Sequence, residues 1–356
     1  MSPSNLKALS VLDLAIVADD STPADALRDS LDLTRHVERL GYLRHWVAEH
    51  HNIPGIASSA PAVLAAHLAS VTSEIRIGSG GVMLPNHAPL VIAEQFGMLE
   101  DLHPGRIDLG IGRAPGTDAA TAAALRRSVD PLSDDDFPQQ LGQLVGFFTG
   151  NFPDGHPYSG ITAVPGLGSM PDMWLLGSSG YSAQVAGMLG LPFSFAHHFM
   201  PANTEMAMEL YRRSFRPSEV LSEPYGMVAV AVICADDDEH ARWLAGPSRL
   251  SFARLRSGRP GRFPSPEEAA AHDFSAGEEQ AVRSVSGSAV IGGPATVRLG
   301  LEELAERTSA DELMLTTMVY DHGDRMRSYE LVASAVGLTS RDATASRTGH
   351  SPSLSR

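Results

Sequence analysis

Apolar residues fall in short runs along this chain, and most runs give way to stretches in which apolar positions recur every three or four residues. Leu9 to Val17 is the first run, and its Leu, Val and Ile content reads as a buried strand. Asp19-Asp20-Ser21-Thr22-Pro23 breaks it. Thr22 in a capping position, Pro23 at the helix start, a stripe of Leu27, Leu31, Val37 and Leu40, and a closing Gly41 predict the helix that follows. Further strands are predicted at about Arg44–Glu49, Ile75–Leu84 and Arg106–Gly112, with helices opening at Ser58–Pro61 and near Pro89. After Pro171 the strands fall near Met173–Leu176, Leu191–Ala196, Met227–Ala235 and Glu312–Met318. Their helices are predicted at Ser182–Leu189, Asn203–Phe215, Asp238–Leu244 and Arg325–Val336. Eight strand–helix units imply a parallel sheet and suit closure into a (β/α)8 barrel. An open doubly wound sheet is the competing architecture, because counting units does not show closure.

Two stretches interrupt the repeat, 114–171 and 246–293, both scattered with Gly and Pro. They are expected to be long insertions, the second serving as a lid. One domain is expected over 1–338, and the Ser/Thr/Arg-rich 339–356 is expected to be a disordered tail. The 356 residues carry 27 Lys+Arg against 42 Asp+Glu, a net charge of −15 that disfavours a nucleic-acid partner. One cysteine, Cys234, excludes a disulfide framework and a cysteine-built metal site. No apolar run reaches the roughly 20 residues of a membrane span, and Met1–Ser10 lacks the regions of a signal peptide, so a cytoplasmic location is expected.

In a (β/α)8 barrel the active site lies at the C-terminal ends of the strands. Unusual residues collect there: Glu49-His50-His51-Asn52, Gly78-Ser79-Gly80-Gly81, Gly110-Ile-Gly-Arg113, Gly177-Ser178-Ser179-Gly180-Tyr181, His197-His198 and Tyr320-Asp321-His322. Between a strand and a helix, the small residues 177–181 allow close backbone approach to an anion at the helix start. Arg113 would add a charge-assisted contact to a phosphate, and Gly112-Arg-Ala-Pro-Gly116 adds glycine at the same edge. No Walker lysine or Rossmann fingerprint accompanies them, so a mononucleotide phosphate fits better than ATP or a dinucleotide. His50, His51, His197, His198 and His322 could instead ligate a metal, but no H-x-H pair ends the first strand, and no metal is expected. A serine-hydrolase elbow is absent. Asp13, inside the first strand, reads as a satisfied buried carboxylate. Met83, Phe199, Met200 and Tyr320, with His197 and His198, are candidates for an apolar substrate pocket.

Five motifs in order carry a resemblance that covers roughly residues 9–338. They are Trp46-Val-Ala-Glu-His-His51, Ile75-Arg-Ile-Gly-Ser-Gly-Gly-Val-Met-Leu-Pro85, Pro104-Gly-Arg-Ile-Asp-Leu-Gly-Ile-Gly-Arg113, Trp174-Leu-Leu-Gly-Ser-Ser-Gly-Tyr181 and Ile291-Gly-Gly-Pro-Ala-Thr-Val-Arg298. With Ala57–Pro61 and Leu84–Pro89, the sequence resembles the single-chain oxidoreductases of the bacterial-luciferase-like family of flavin-dependent monooxygenases. The resemblance implies a (β/α)8 barrel and reduced FMN supplied by a separate flavin reductase. It also implies oxygenation of a small organic substrate through a flavin hydroperoxide, and a homodimer formed through the early helices, where Ala60, Ala62, Ala65, Ala66 and Ala69 permit close approach. Position by position, His50 matches the catalytic histidine, and Ser79, Gly80 and Gly81 match the strand under the flavin ring, with a cis peptide between the two glycines. Arg113, Ser178, Gly180 and Tyr181 match the phosphate region, and Gly177 and Ser179 beside them are further cofactor-binding candidates. Gly112 stands where luciferases carry a reactive cysteine, and Gly177 where they carry an acid, which separates this chain from light emission. A deazaflavin-dependent hydride-transfer enzyme and a flavin-binding protein without turnover are the alternatives on the same barrel.

Overall fold

The computed structural model describes residues 8–114, 117–126 and 137–339; the predicted tail from 340 onward and Pro115–Gly116 lie outside the described residues. Eight parallel strands close into a barrel: β1 (Ala8–Asp13), β2 (Arg44–Val47), β3 (Arg76–Met83), β4 (Ile107–Gly112), β5 (Asp172–Gly177), β6 (Phe193–Ala196), β7 (Gly226–Cys234) and β9 (Glu312–Thr316). β1 pairs with β2 and β9, and β6 with β7, so the ring is continuous and the open sheet is excluded. A short extra strand, β8 (Val290–Gly292), adds to the end of β7 outside the ring.

The helices pack around it: α1 (Pro23–Leu40), α2 (Pro61–Ser70), α3 (Pro89–Leu102), α4 (Ala119–Arg126), α5 (Phe137–Thr149), α6 (Gly180–Leu189) and α7 (Thr204–Ser214). They continue as α8 (Asp238–Arg256), α9 (Pro266–Ala271), α10 (Ala276–Ser286), α11 (Pro294–Thr308) and α12 (His322–Val336). Thr22 caps α1 in a reciprocal box with Asp25, and Gly41 ends it at φ 90°, as the sequence predicts.

The two stretches that interrupt the repeat contain helices that the sequence did not predict. Residues 246–293 are mostly helical: α8 runs through Pro247 to Arg256, and α9 and α10 pack on it. Burial of Ala241, Leu244, Leu250 and Ala253 on one face sustains α8 across the hydrogen bond that proline forfeits. The stretch 114–171 likewise contains α4 and α5, with 127–136 outside the described residues. β1 is shorter than predicted because Ala15 turns at φ 50°, its N–H held by the Asp13 carboxylate at 2.9 Å.

Side chains alternate between the lumen and the helical layer. Leu9, Val11, Ile77, Leu109 and Ile111 join the outer core, where Asp13 meets Arg325 of α12 at 3.1 Å. Burial pushes the Asp13 carboxyl up, but Arg325 and His45 outweigh it and hold it well below the usual range. The inward positions are stacked in layers. Lowest is an ionic layer: Arg44 bridges Glu312 (3.0 Å) and Asp108 (2.9 Å), and Arg76 also binds Asp108. Trp46 Nε1 donates to Asp108, while Ser10 and Tyr225 hydroxyls donate to Glu312. Above it lie Leu12, Trp46, Trp174, Met227, Ala229 and Met314, with the two indoles edge-on at 5.2 Å.

Removing one partner of such a layer strands buried charge. Arg44→Met should therefore lower the unfolding free energy by about 3–5 kcal/mol, read as a fall in the urea midpoint at unchanged slope. A loss below about 1 kcal/mol would mean that the carboxylates are stabilised without Arg44.

Candidate active site

Over the tryptophan layer, at the C-terminal ends of the strands, opens a cavity of about 460 Å³, within the range of small-molecule sites. Its wall is largely apolar, with Leu12, Leu14, Trp46, Leu176, Met314 and Met318 from the barrel and Phe252 and Leu255 from α8. The segment 260–263 roofs one side and is fixed to the loop after β1. Phe263 N–H donates to the Val17 carbonyl at 2.9 Å, and Asp19 N–H to the Phe263 carbonyl at 3.0 Å.

Most of the residues singled out from the sequence meet here. His50, Gly80, Gly81, Met83, Arg113, Gly177, Ser178, Ser179, His198 and Phe199 all line the cavity. The Gly80–Gly81 peptide is cis and coincides with a register shift against β4. A Cβ on Gly81 would stand 2.4 Å from Leu176 and 2.6 Å from the Gly110 carbonyl, so only glycine keeps this surface flat. A Cβ at position 112 would meet the Met83 sulfur at 2.7 Å, the movable end of a flexible side chain. At Gly177 a Cβ would stand 2.5 Å from the Ser182 Cβ.

A helix start meets the cavity edge beyond β5. α6 starts at Gly180, and Ser179, its N-cap, makes no side-chain capping bond and lines the cavity with Ser178 and Ser182. Arg113 reaches the same edge and stacks over the Tyr181 ring at 4.7 Å. Gly180 and Tyr181 themselves do not line the cavity.

Other residues named from the sequence do not line the cavity. Ser79 faces away from the lumen, and its hydroxyl donates to the Gly110 carbonyl. His197 also points outward, buried against the Thr204 hydroxyl at 2.7 Å; neighbouring residues at a strand end point to opposite sides. Tyr320 ties the rim together by donating to Asp19 instead of lining the cavity. Met200 is exposed outside it. His322, named as a possible metal ligand, lies beside Asp32 on the outer helical layer.

Two residues of this region received no role of their own in the sequence reading. Glu49, fully buried, accepts hydrogen bonds from His51, His87, Asn86 and the Met83 N–H, at 2.9–3.1 Å. Burial pushes its carboxyl up, but these donors, His87 foremost, hold it below its ordinary value. Thr316 lines the cavity with a buried hydroxyl that has no partner among the described residues, so a polar ligand atom or a water must satisfy it. Only its place at a strand end could have flagged it.

Residues 9–312 match the family described as luciferase-like monooxygenase. A luciferase-like monooxygenase of Escherichia coli K12 is 46% identical, over 91% of this chain and 95% of its own length. The N-acetyl-S-alkylcysteine monooxygenase of Bacillus subtilis is 34% identical, over 92% of this chain and 98% of its own. The crystal structure of apo-MsnO8 superposes with a TM-score of 0.83 at 38% identity, covering 94% of this chain and 99% of that one.

The His198 ring has a defined protonation state. Its Nδ1 faces the Ala229 carbonyl at 3.0 Å and must donate, so Nε2 carries the lone pair. Burial lowers its pKa to about 4, against about 6.5 in the unfolded chain. The folded state binds fewer protons between those values, so the ring's contribution to stability is complete above about 6.5 and is lost as pH falls through about 4. NMR of labelled imidazoles should find His198 neutral at pH 6; a cationic ring at that pH would refute the assignment.

Proposed function

We propose that this chain, which belongs to the luciferase-like monooxygenase family, is an FMN-dependent monooxygenase that oxygenates a small or medium organic substrate. The observation that carries the proposal is one cavity holding both an uncapped helix start flanked by Arg113 and a side-chain-free floor at Gly80–Gly81. The first suits a single phosphate and the second a flat ring. The unpartnered Thr316 hydroxyl offers a further polar contact to the bound molecule. Reduced FMN, delivered by a separate flavin reductase, would supply the chemistry that activates oxygen.

The chain's own residues then bind, shield and move protons. Arg113, Ser178, Ser179 and the α6 N–H groups hold the phosphate. Apolar walls keep bulk water from the reacting centre. His50, half-buried on the loop after β2 and lining the cavity, relays a proton at that centre. Neutral His198, also lining the cavity, contributes an acceptor nitrogen. The relative named N-acetyl-S-alkylcysteine monooxygenase supports oxygenation of a small molecule as the reaction class.

Two variants separate binding from chemistry. Arg113→Ala should weaken FMN by about 1.5–3 kcal/mol and leave riboflavin, which has no phosphate, nearly unaffected. His50→Ala should bind FMN almost as wild type does and turn over about 10²–10⁴-fold more slowly. Titration with both flavins, together with oxygen consumption in the presence of a flavin reductase, tests the pair. Turnover without oxygen uptake would favour the deazaflavin alternative, and an Arg113→Ala protein with normal FMN affinity would remove the phosphate assignment.

We also propose a homodimer, with its contact on α3. Ala65 and Ala69 of α2 are spent on packing within the subunit. Met98 and Leu102 of α3 are instead exposed, beside Val164 and Leu167 on the loop that closes over Gly97. Such a patch is characteristic of an interaction site. Sedimentation at micromolar concentration should show a dimer that Leu102→Glu converts to monomer; a monomeric wild type rejects it.

A further inference from the structure

Among the described residues that line the cavity none is acidic, while two are guanidiniums, Arg113 and Arg249. Arg113 is assigned to the cofactor phosphate by the reading above, on which this inference rests, and Arg249 has no role in it. The two come from different sides of the mouth. Arg113 follows β4 and Arg249 lies on α8 after β7, with β5 and β6 between those strands. Arg249 is also held in place: its guanidinium lies 5.1 Å from the Phe274 ring and 3.3 Å from Glu279 of α10. The side chains of that ion pair are 44% and 37% exposed. Water screens such a pair, so an incoming anion exchanges for Glu279 at little cost.

The surrounding sequence adds a field of the same sign. Residues 249–262 contain five arginines and no acidic residue, in a chain of net charge −15. Arg254 is neutralised by Glu268, and Arg262 donates to the carbonyls of Asp19 and Ser21. Arg249 is the one of the five that lines the cavity. Directly beside it the wall is apolar, with Phe252 and Leu255 on the same helix. A positive mouth over an apolar interior draws in molecules with one anionic end.

We propose that Arg249 is the anion-binding residue of a substrate subsite, and that the substrate is an organic acid. Its carboxylate or sulfonate pairs with the Arg249 fork, and its apolar body extends into the barrel toward the flavin floor. Specificity is then set on α8, across the mouth from the cofactor phosphate.

The test uses flavin-free protein and two fluorescent probes of the same shape, 8-anilinonaphthalene-1-sulfonate and uncharged N-phenyl-1-naphthylamine. Wild type should bind the sulfonate at least about tenfold tighter than the amine. Arg249→Met should erase that preference and keep amine binding within about twofold, which also shows that the variant is folded; Arg249→Lys should restore part of the preference. Arg113→Met should leave the preference intact. The proposal is overturned if wild type shows no preference, if the preference survives Arg249→Met, or if Arg113→Met is the variant that removes it. It is also overturned if Arg249→Met weakens FMN as Arg113→Ala does, because Arg249 would then belong to the cofactor site. No probe arm contains flavin, so failure of the FMN reading registers only in the flavin titration.

Discussion

Arg44 is the point on which the barrel's interior turns. Its guanidinium joins Asp108 of β4 to Glu312 of β9 across the lumen, and it lies 4.7 Å from the Trp174 ring of β5. Each partner is engaged further, Asp108 by Arg76 and Trp46, Glu312 by Ser10 and Tyr225. Burial opposes the charge on Arg44, but the two carboxylates outweigh it and raise its pKa. A floor of apolar side chains could be as stable. What the ionic floor adds is direction: each bond has a fixed length and angle, so the relative heights of β1, β2, β4 and β9 are set where the side chains meet.

The site is what remains above that floor. Large side chains fill the next layer, and glycines empty the one above it. A Cβ on Gly78 would stand 2.6 Å from the Asp108 Cβ, and one on Gly80 would stand 2.7 Å from Leu12. The inward positions of β3 are therefore bare because Asp108, Leu12 and Trp46 already occupy their space. The flat surface at Gly80–Gly81 follows from packing below it as well as from any ligand above it. Floor and cavity are one construction.

Most barrel strands were legible because burial on both sides leaves an apolar run, whereas β2 (Arg-His-Trp-Val) and the glycine-rich β3 were legible from their place in the strand–helix alternation. The caps Thr22 and Gly41 were legible because their chemistry is local. β8 was not, since three residues carry no period. α8 was obscured by Pro247, whose tolerance depends on tertiary burial. Within the site, the clustering of His50, Arg113 and 177–179 followed from the rule that strand ends converge. Facing did not follow: Ser79 in a glycine run and the adjacent His197 and His198 gave no sign of which side met the lumen. The ionic floor was hidden for a related reason. Arg44, Asp108 and Glu312 are far apart in sequence and become partners only when the ring closes.

The two halves of the mouth are built differently, and the difference bears on how they can be used. On the β2–β3 side, Glu49 accepts from His51, His87, Asn86 and the Met83 N–H, binding the loop that presents His50 to the turn that follows the glycine pair. A buried carboxylate so fully satisfied leaves that rim no alternative arrangement at comparable energy. On the α8 side, the wall is a helix that carries Pro247, packed on the barrel by the apolar cluster of Ala241, Leu244, Ala245, Ile233 and Val319 and by the bond from the Ser248 hydroxyl to the Met318 carbonyl. Its tie to α10 through Arg249 and Glu279 is a half-exposed ion pair, which opens at lower cost than a buried network. On the proposed reading, His50 stands on the half with the buried network, where small displacements would cost most. The proposed substrate anchor, Arg249, stands on the half whose polar tie is exposed to water, where exchange of one anion for another costs little.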